Sequence, residues 1–304
     1  MVIKLSKSDF ENILEDYSVG RYKSYLHLDW AQTNSVYRVK TSKGSYILKL
    51  FENSDFKFIE FQDKISKFLK QTVPTPINIS TKKGKFYTKY DNNILTIQRE
   101  VIGRHPKRMT ENIILECAYY LGKIDKKLSK IKIKEYDCWG DHIFRKKEFP
   151  KIKGLNIKKD YEDALQKLNK FNLTKFKKGY IHSDLHESNL LIKNNTVRGI
   201  IDWDDCHKDY YIYELAIFIG SCLFSEKGAK KNILKRVIEE YEKNIKLSKS
   251  EKEALYYFIK QRILSLIRWS KAHGKGKGEW FDNKIRDYQN FKRISFQEFN
   301  NLIV

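Results

Sequence analysis

Cysteine is scarce in this chain. The four present, Cys117, Cys138, Cys206 and Cys222, are scattered through 304 residues with no C-x-x-C pair. That argues against a zinc ribbon and against a dense disulfide scaffold, and it points to a reducing, cytoplasmic compartment. Proline is equally rare, at 4, and glycine reaches only 14. Low-complexity linkers are therefore not expected. No apolar run approaches the roughly 18 to 20 residues that a membrane-spanning helix needs. The first 14 residues mix Lys, Asp and Glu into their apolar positions, unlike a signal peptide.

Acid is in short supply relative to base, with 38 Asp plus Glu against 60 Lys plus Arg and a formal charge of +22. Such an excess raises the question of nucleic acid, because clustered cations neutralise phosphates. Here the bases are spread along the chain and are mostly lysine. Pairs such as Lys126-Lys127, Lys146-Lys147 and Lys177-Lys178 sit among acidic and apolar residues. They read as solvated faces, and nucleic acid is not expected as a partner.

Apolar residues make up 41% of the chain and aromatic residues 14%, enough for a large core and about two domains. Ser8-Asp9-Phe10-Glu11 has the form of a capping box and opens a short helix whose apolar face is Phe10, Ile13, Leu14 and Tyr17. Residues 25–28, 36–39 and 46–51 are β-branched or aromatic runs that predict an antiparallel meander, the last two joined by a turn at 41–44. Phe58, Phe61, Ile65, Phe68 and Leu69 recur at helical spacing until Pro74 and Pro76 stop them. Further strands are predicted at 77–80 and 86–90, with extended chain over 95–101.

Beyond Pro106 the pattern turns helical. Thr110 is placed to cap a stripe of Ile113, Ile114, Cys117, Leu121, Ile124 and Leu128. Later helices are predicted at 160–176, 211–223, 229–245, 250–270 and 295–303, with a glycine-containing loop at 274–278. The division is therefore a β-rich lobe over residues 1–101 and a larger helical lobe over 102–304, an α+β fold.

One polar stretch interrupts the helical half. His182-Ser183-Asp184-Leu185-His186-Glu187-Ser188-Asn189 lies between short apolar runs, and after a turn at Asn194-Asn195 a second run ends in Asp202-Trp203-Asp204-Asp205. A histidine, an aspartate two residues on and an asparagine five beyond that, followed by an aspartate closing a strand, form a set suited to phosphoryl transfer. One carboxylate orients the attacking hydroxyl and takes its proton, while an amide and a second carboxylate hold Mg²⁺ on a triphosphate.

These loops resemble those of the aminoglycoside phosphotransferase, choline kinase and homoserine kinase group of small-molecule kinases, which share the protein-kinase fold. The resemblance extends through Tyr213-Glu214-Leu215-Ala216 and a late helix carrying Phe258-Ile259-Lys260-Gln261-Arg262 and Trp269. It implies a two-lobe kinase that uses ATP and Mg²⁺ and phosphorylates a hydroxyl of a small molecule. Position by position it implies Asp184 as the base, Asn189 and Asp202 as magnesium ligands, and Lys49 as the strand lysine that meets the nucleotide phosphates. Glu60 is then the helix partner of Lys49, with Asp63 as the alternative. His182 supports the loop, and His186 either shapes it or touches the acceptor or phosphate. Asp204 assists the metal or binds substrate, while Asp205 caps the next turn.

The presumed phosphate loop at 30–35 has no glycine, so Thr33, Asn34 and Ser35 would supply side-chain donors in its place. Residues Gln98 to Val101 would meet the adenine edge through backbone groups. Ser183 stands where the family often has glycine. Two other readings compete with this one: a protein serine/threonine kinase on the same fold, and an inactive nucleotide-binding or basic RNA-associated protein. The positive balance of the chain favours a neutral, zwitterionic or anionic acceptor over a polycation.

Overall fold

The computed structural model describes residues 3–28, 34–52, 55–133, 149–224, 231–272 and 274–303. The chain divides into two compact units, one of residues 1–103 with 198–201 and the other of residues 104–197 with 202–304.

The first unit opens with helix α1, Lys7–Glu15. Its N-cap is Ser6, whose hydroxyl accepts the backbone N–H of Asp9 while Asp9 accepts that of Ser6. This corrects the capping box predicted at Ser8 by two residues, since an Asp completes the reciprocal pair as well as a Glu does. Phe10, Ile13 and Leu14 are buried as the spacing predicts. Strands β1 (Tyr22–His27), β2 (Ser35–Thr41) and β3 (Gly44–Phe51) follow as the expected meander. Thr41 pairs directly with Gly44, and Gly44 carries a φ of 143°, which suits glycine.

Helix α2, Phe56–Leu69, is capped by Asp55. Strands β4 (Thr88–Tyr90) and β5 (Asn93–Arg99) complete an antiparallel sheet in the order β1-β2-β3-β5-β4. The strand predicted at 77–80 is reduced to a single bridge between Asn78 and Gln98. Ile79 N–H donates to the Ile97 carbonyl at 2.7 Å beside that bridge, and no longer ladder forms there. Phe10, Leu14, Tyr37, Leu48, Leu95 and Ile97 pack in the core beneath the sheet.

The second unit is mainly helical. Thr110 caps α3, Glu111–Leu128, as expected. Helix α4, Ile157–Leu168, ends well short of the predicted 176, in a short turn at Leu173–Lys175. Strand β6 (Lys178–Ile181) pairs antiparallel with β9 (His207–Tyr210); between them in sequence come β7 (Leu190–Lys193) and β8 (Thr196–Ile200), a two-stranded pair, with residues 198–200 of β8 counted in the first unit. Asn194 and Asn195, with φ of 53° and 56°, turn β7 into β8, as asparagine tolerates this region better than most residues.

Helix α5, Tyr211–Cys222, follows β9 directly, and every residue of it except Ser221 is buried. A helix apolar on all sides belongs at the centre of a unit. It packs on α7, Lys249–Ala272, while α6, Leu234–Glu242, packs on α3. Two further helices, α8 (Glu279–Lys292) and α9 (Phe296–Ile303), finish the chain, and α8 adds a helix to those predicted. Among the described residues no helix is long and apolar enough to cross a membrane.

Candidate active site

The polar stretch at 182–189 is held by its neighbours in the fold. Strand β6 delivers the chain into the loop, and β9 runs antiparallel beside it with Ile181 opposite His207. Because β9 leads straight into α5, the first turn of α5 lies beneath the start of the loop. Glu214, fully buried in that turn, accepts the backbone N–H of Ser183 at 2.9 Å. Ser183 adopts a φ of 69°, the left-handed region that glycine occupies without strain.

His182 is fully buried, packs at a tilt against Trp203 with ring centroids 4.5 Å apart, and accepts the backbone N–H of Asp184 at Nδ1 over 3.4 Å. This contact joins the 182–189 loop to the 202–205 loop. Asp184 stands at the centre. Its Oδ2 lies 3.2 Å from His186 Nε2 and accepts a bond from Asn189 Nδ2 at 3.2 Å. Asn189 also donates to the Asp184 backbone carbonyl at 2.8 Å. The other oxygen, Oδ1, accepts from Arg262 of α7 at 3.1 Å. Burial disfavours the Asp184 carboxylate, yet the His186 bond and the charges of His186, Arg262 and His182 outweigh it and hold the carboxyl below its ordinary value.

His186 accepts the backbone N–H of Ser188 at Nδ1, which leaves Nε2 to donate to Asp184. The ring is thus both a brace of the loop and a contact of the carboxylate. Asp202 is exposed and left-handed, with a φ of 65°. Asp204 and Asp205 follow it, both partly buried. Burial, and then the charge of Asp184, pushes Asp205 up to about 6.

Two groups, Arg262 and Glu214, lie in stretches that carry the resemblance, but the sequence assigned neither of them a role at the site. Arg262 sits 78 residues from Asp184 in a helix of a lysine-rich chain, where one more base carries no signal. Glu214 belongs to a buried acidic pair with Asp125, whose carboxylate accepts the Tyr241 hydroxyl. Besides the Tyr213-Glu214-Leu215-Ala216 resemblance, the apolar run around Glu214 marks it as an acid inside a buried helix.

The remaining candidates lie in the first unit. Lys49, on β3, places its Nζ 4.9 Å from the centre of the Phe51 ring. Glu60 lies 3.2 Å from Lys64, and buried Asp63 lies 2.7 Å from Lys67 while accepting Asn78 Nδ2 at 3.0 Å. Ser35 is buried, its hydroxyl accepting Ile3 N–H and donating to Glu52. That weighs against its expected service as a phosphate donor. Asn34 directly precedes β2, whereas residues 30–33 of the presumed phosphate loop lie outside the described residues. Gln98 donates to Asn78 within its own unit at 3.0 Å, and Val101 follows the last strand, partly buried.

The donor chemistry suits a hard cation. Asn189 uses its Nδ2 on Asp184, so its amide oxygen is the atom left to meet a metal, and Asp202 adds carboxylate oxygens. Two protein oxygens fit Mg²⁺, which keeps waters and takes its other ligands from phosphates. Among the described residues no group of three or more His, Cys, Asp or Glu is arranged to hold a metal by itself.

Known proteins share this plan. The homoserine kinase of Gluconobacter oxydans (strain 621H) is 24% identical over 269 residues, covering 83% of each chain. Among solved structures, amicoumacin kinase hAmiN in complex with AMP-PNP, Ca²⁺ and Ami superposes with a TM-score of 0.73 at 15% identity, over 97% of this chain and 93% of that one. A microcompartment-associated aminopropanol kinase gives a TM-score of 0.64 at 18% identity, over 94% of both chains. These likenesses establish a protein-kinase-like α+β fold, as expected. The profile of the phosphotransferase enzyme family matches residues 27–244, which include both loops, so the chain is a phosphotransferase that belongs to this family.

Proposed function

We propose that the protein transfers the γ-phosphoryl group of ATP, in the presence of Mg²⁺, to a hydroxyl of a small amino acid or amino alcohol. The observation that carries this is the Asp184 carboxylate, ionised and fixed at both oxygens, beside Asn189. A carboxylate so held can orient an acceptor hydroxyl and receive its proton at the moment of transfer. Asn189 and Asp202 would hold Mg²⁺, which supplies charge neutralisation on the phosphates when bound. Lys49 would pair with those phosphates, with Glu60 or Asp63 as its support, and Asn34 would add a donor. Backbone groups near Gln98 and Val101 would meet the adenine. In this reading the β-rich unit carries the nucleotide and the helical unit the acceptor.

The acceptor class rests on charge and on the relatives. A polycationic antibiotic requires several carboxylates to pair its ammonium groups, and this chain carries +22. The homoserine kinase relative matches over 83% of each chain, which makes L-homoserine the first compound to test. The experiment is ADP release from ATP and Mg²⁺ over a panel of L-homoserine, 1-amino-2-propanol, choline, thiamine, sugars and kanamycin. Mass spectrometry of the product completes it. A gain of one phosphoryl group on homoserine or the amino alcohol is the expected outcome. Efficient use of kanamycin alone would overturn the acceptor class, and no transfer to any compound would overturn the activity.

A further inference from the structure

We propose that Arg262 is a positioning residue for phosphoryl transfer, fixing the Asp184 carboxylate from α7; the inference rests on the reading of Asp184 as the base. The geometry is specific. Arg262 donates from one terminal nitrogen to Oδ1 at 3.1 Å, while Oδ2 receives His186 and Asn189. His186 and Asn189 belong to the same short loop as Asp184 and move with it. Arg262 alone among these three donors comes from another element, so it ties the plane of the carboxylate to the helical scaffold. A carboxylate bonded from one side only would rotate about its last torsion, which is broad and shallow for aspartate.

The surroundings point the same way. The charge of Arg262 also faces Asp205 and Tyr213, so the guanidinium stands between two carboxylates and a phenol. Its Nε is buried and has no hydrogen-bond partner among the described residues. A side chain placed only to maximise stability would not leave that donor unused. Buried ion pairs in any case contribute little net stability, because desolvation offsets the attraction. What the arrangement does supply is orientation, and small misplacements of a reacting group cost rate steeply.

The test is a double-mutant cycle on the full-length chain. R262M, R262K, D184N and D184N/R262M are compared for kcat, for KM of ATP and for KM of the panel compound with the highest turnover, with single-turnover measurements for slow variants. R262M should lower kcat by ~10- to 100-fold and leave both KM values within about threefold, and R262K should recover part of the loss. In the D184N background the same change should alter kcat by less than about twofold, since a residue acting through Asp184 has nothing left to act on. A core residue needed only for folding would show no such dependence.

If R262M does not fold, R262K in both backgrounds completes the cycle, a several-fold loss being expected with Asp184 present and none without it. An R262M enzyme with wild-type kcat overturns the proposal, as does a change confined to the KM of the acceptor or a loss that multiplies with D184N. Wild-type turnover by D184N, or a wild-type protein inert on every acceptor, would instead overturn the reading of Asp184 beneath it.

Discussion

The carboxylate of Glu214 accepts the backbone N–H of Ser183 at 2.9 Å, across 31 residues of sequence. Ser183 is held at a φ of 69°, a conformation that costs a non-glycine residue about 1–2 kcal/mol. A hydrogen bond to a buried acid offsets a cost of that size. The loop that presents Asp184 is therefore set by α5 as well as by its own residues.

That acid makes stability depend on pH. Burial pushes Glu214 from 4.5 up to about 7, against the Ser183 and His182 N–H groups and the charges of His207 and Arg262. Asp125, fully buried beside it, is pushed up as well. A raised carboxyl favours the fold while it keeps its proton. Its contribution is complete below about 4.5 and is lost as pH climbs through about 7. Thermal melts should show the wild type losing on the order of 2 kcal/mol relative to E214Q between about pH 5 and about pH 8. Parallel curves for the two proteins would refute the assignment.

Replacing Asp184 by Asn should lower kcat by ~10²-fold or more and leave the dissociation constant for ATP nearly unchanged. The amide keeps the shape of the side chain and removes the proton acceptor. Calorimetric titration with a non-hydrolysable ATP analogue, beside steady-state kinetics, separates the two effects.

Asn189→Ala and Asp202→Ala should act through the cation. Each should raise the Mg²⁺ concentration needed for half-maximal activity, and Asp202→Ala should raise it more because it removes a charge. Titrations indistinguishable from wild type would move the metal site elsewhere.

Gly122 marks a close approach of α3 to α6. A Cβ there would stand 2.5 Å from the backbone oxygen of Tyr241, an atom that cannot swing aside. Gly122→Ala gains about 1 kcal/mol in helix propensity and loses more to overpacking. A net destabilisation of ~1–2 kcal/mol in chemical denaturation is expected, and a stabilised variant would contradict the packing.

Local spacing made several parts of the molecule legible. The stripe of α3, its Thr110 cap and the turn at Asn194-Asn195 are written within a few residues of one another, so neighbouring positions suffice to place them. Where a local signal had two solutions the reading slipped. Ser6 took the cap expected of Ser8, and the strand expected at 77–80 is one bridge. Helix α8 was missed because its buried positions, Phe281, Asp287, Tyr288 and Phe291, include an acid, and packing on α7 supplies what the pattern lacks.

By itself the sequence determined the two-part α+β plan and the pattern of aspartates and asparagine around residues 184–202, since hydrophobic period and residue chemistry are local properties. Only the tertiary structure decided that Glu214 reaches Ser183, that Asp125 shares its buried setting, and that Arg262 meets Asp184. Those contacts join residues separated by 31 and 78 positions. A polar side chain on a helix has no periodic signature of its own. Its partner is fixed by the way β6, β9, α5 and α7 pack, and burial then gives the contact its strength.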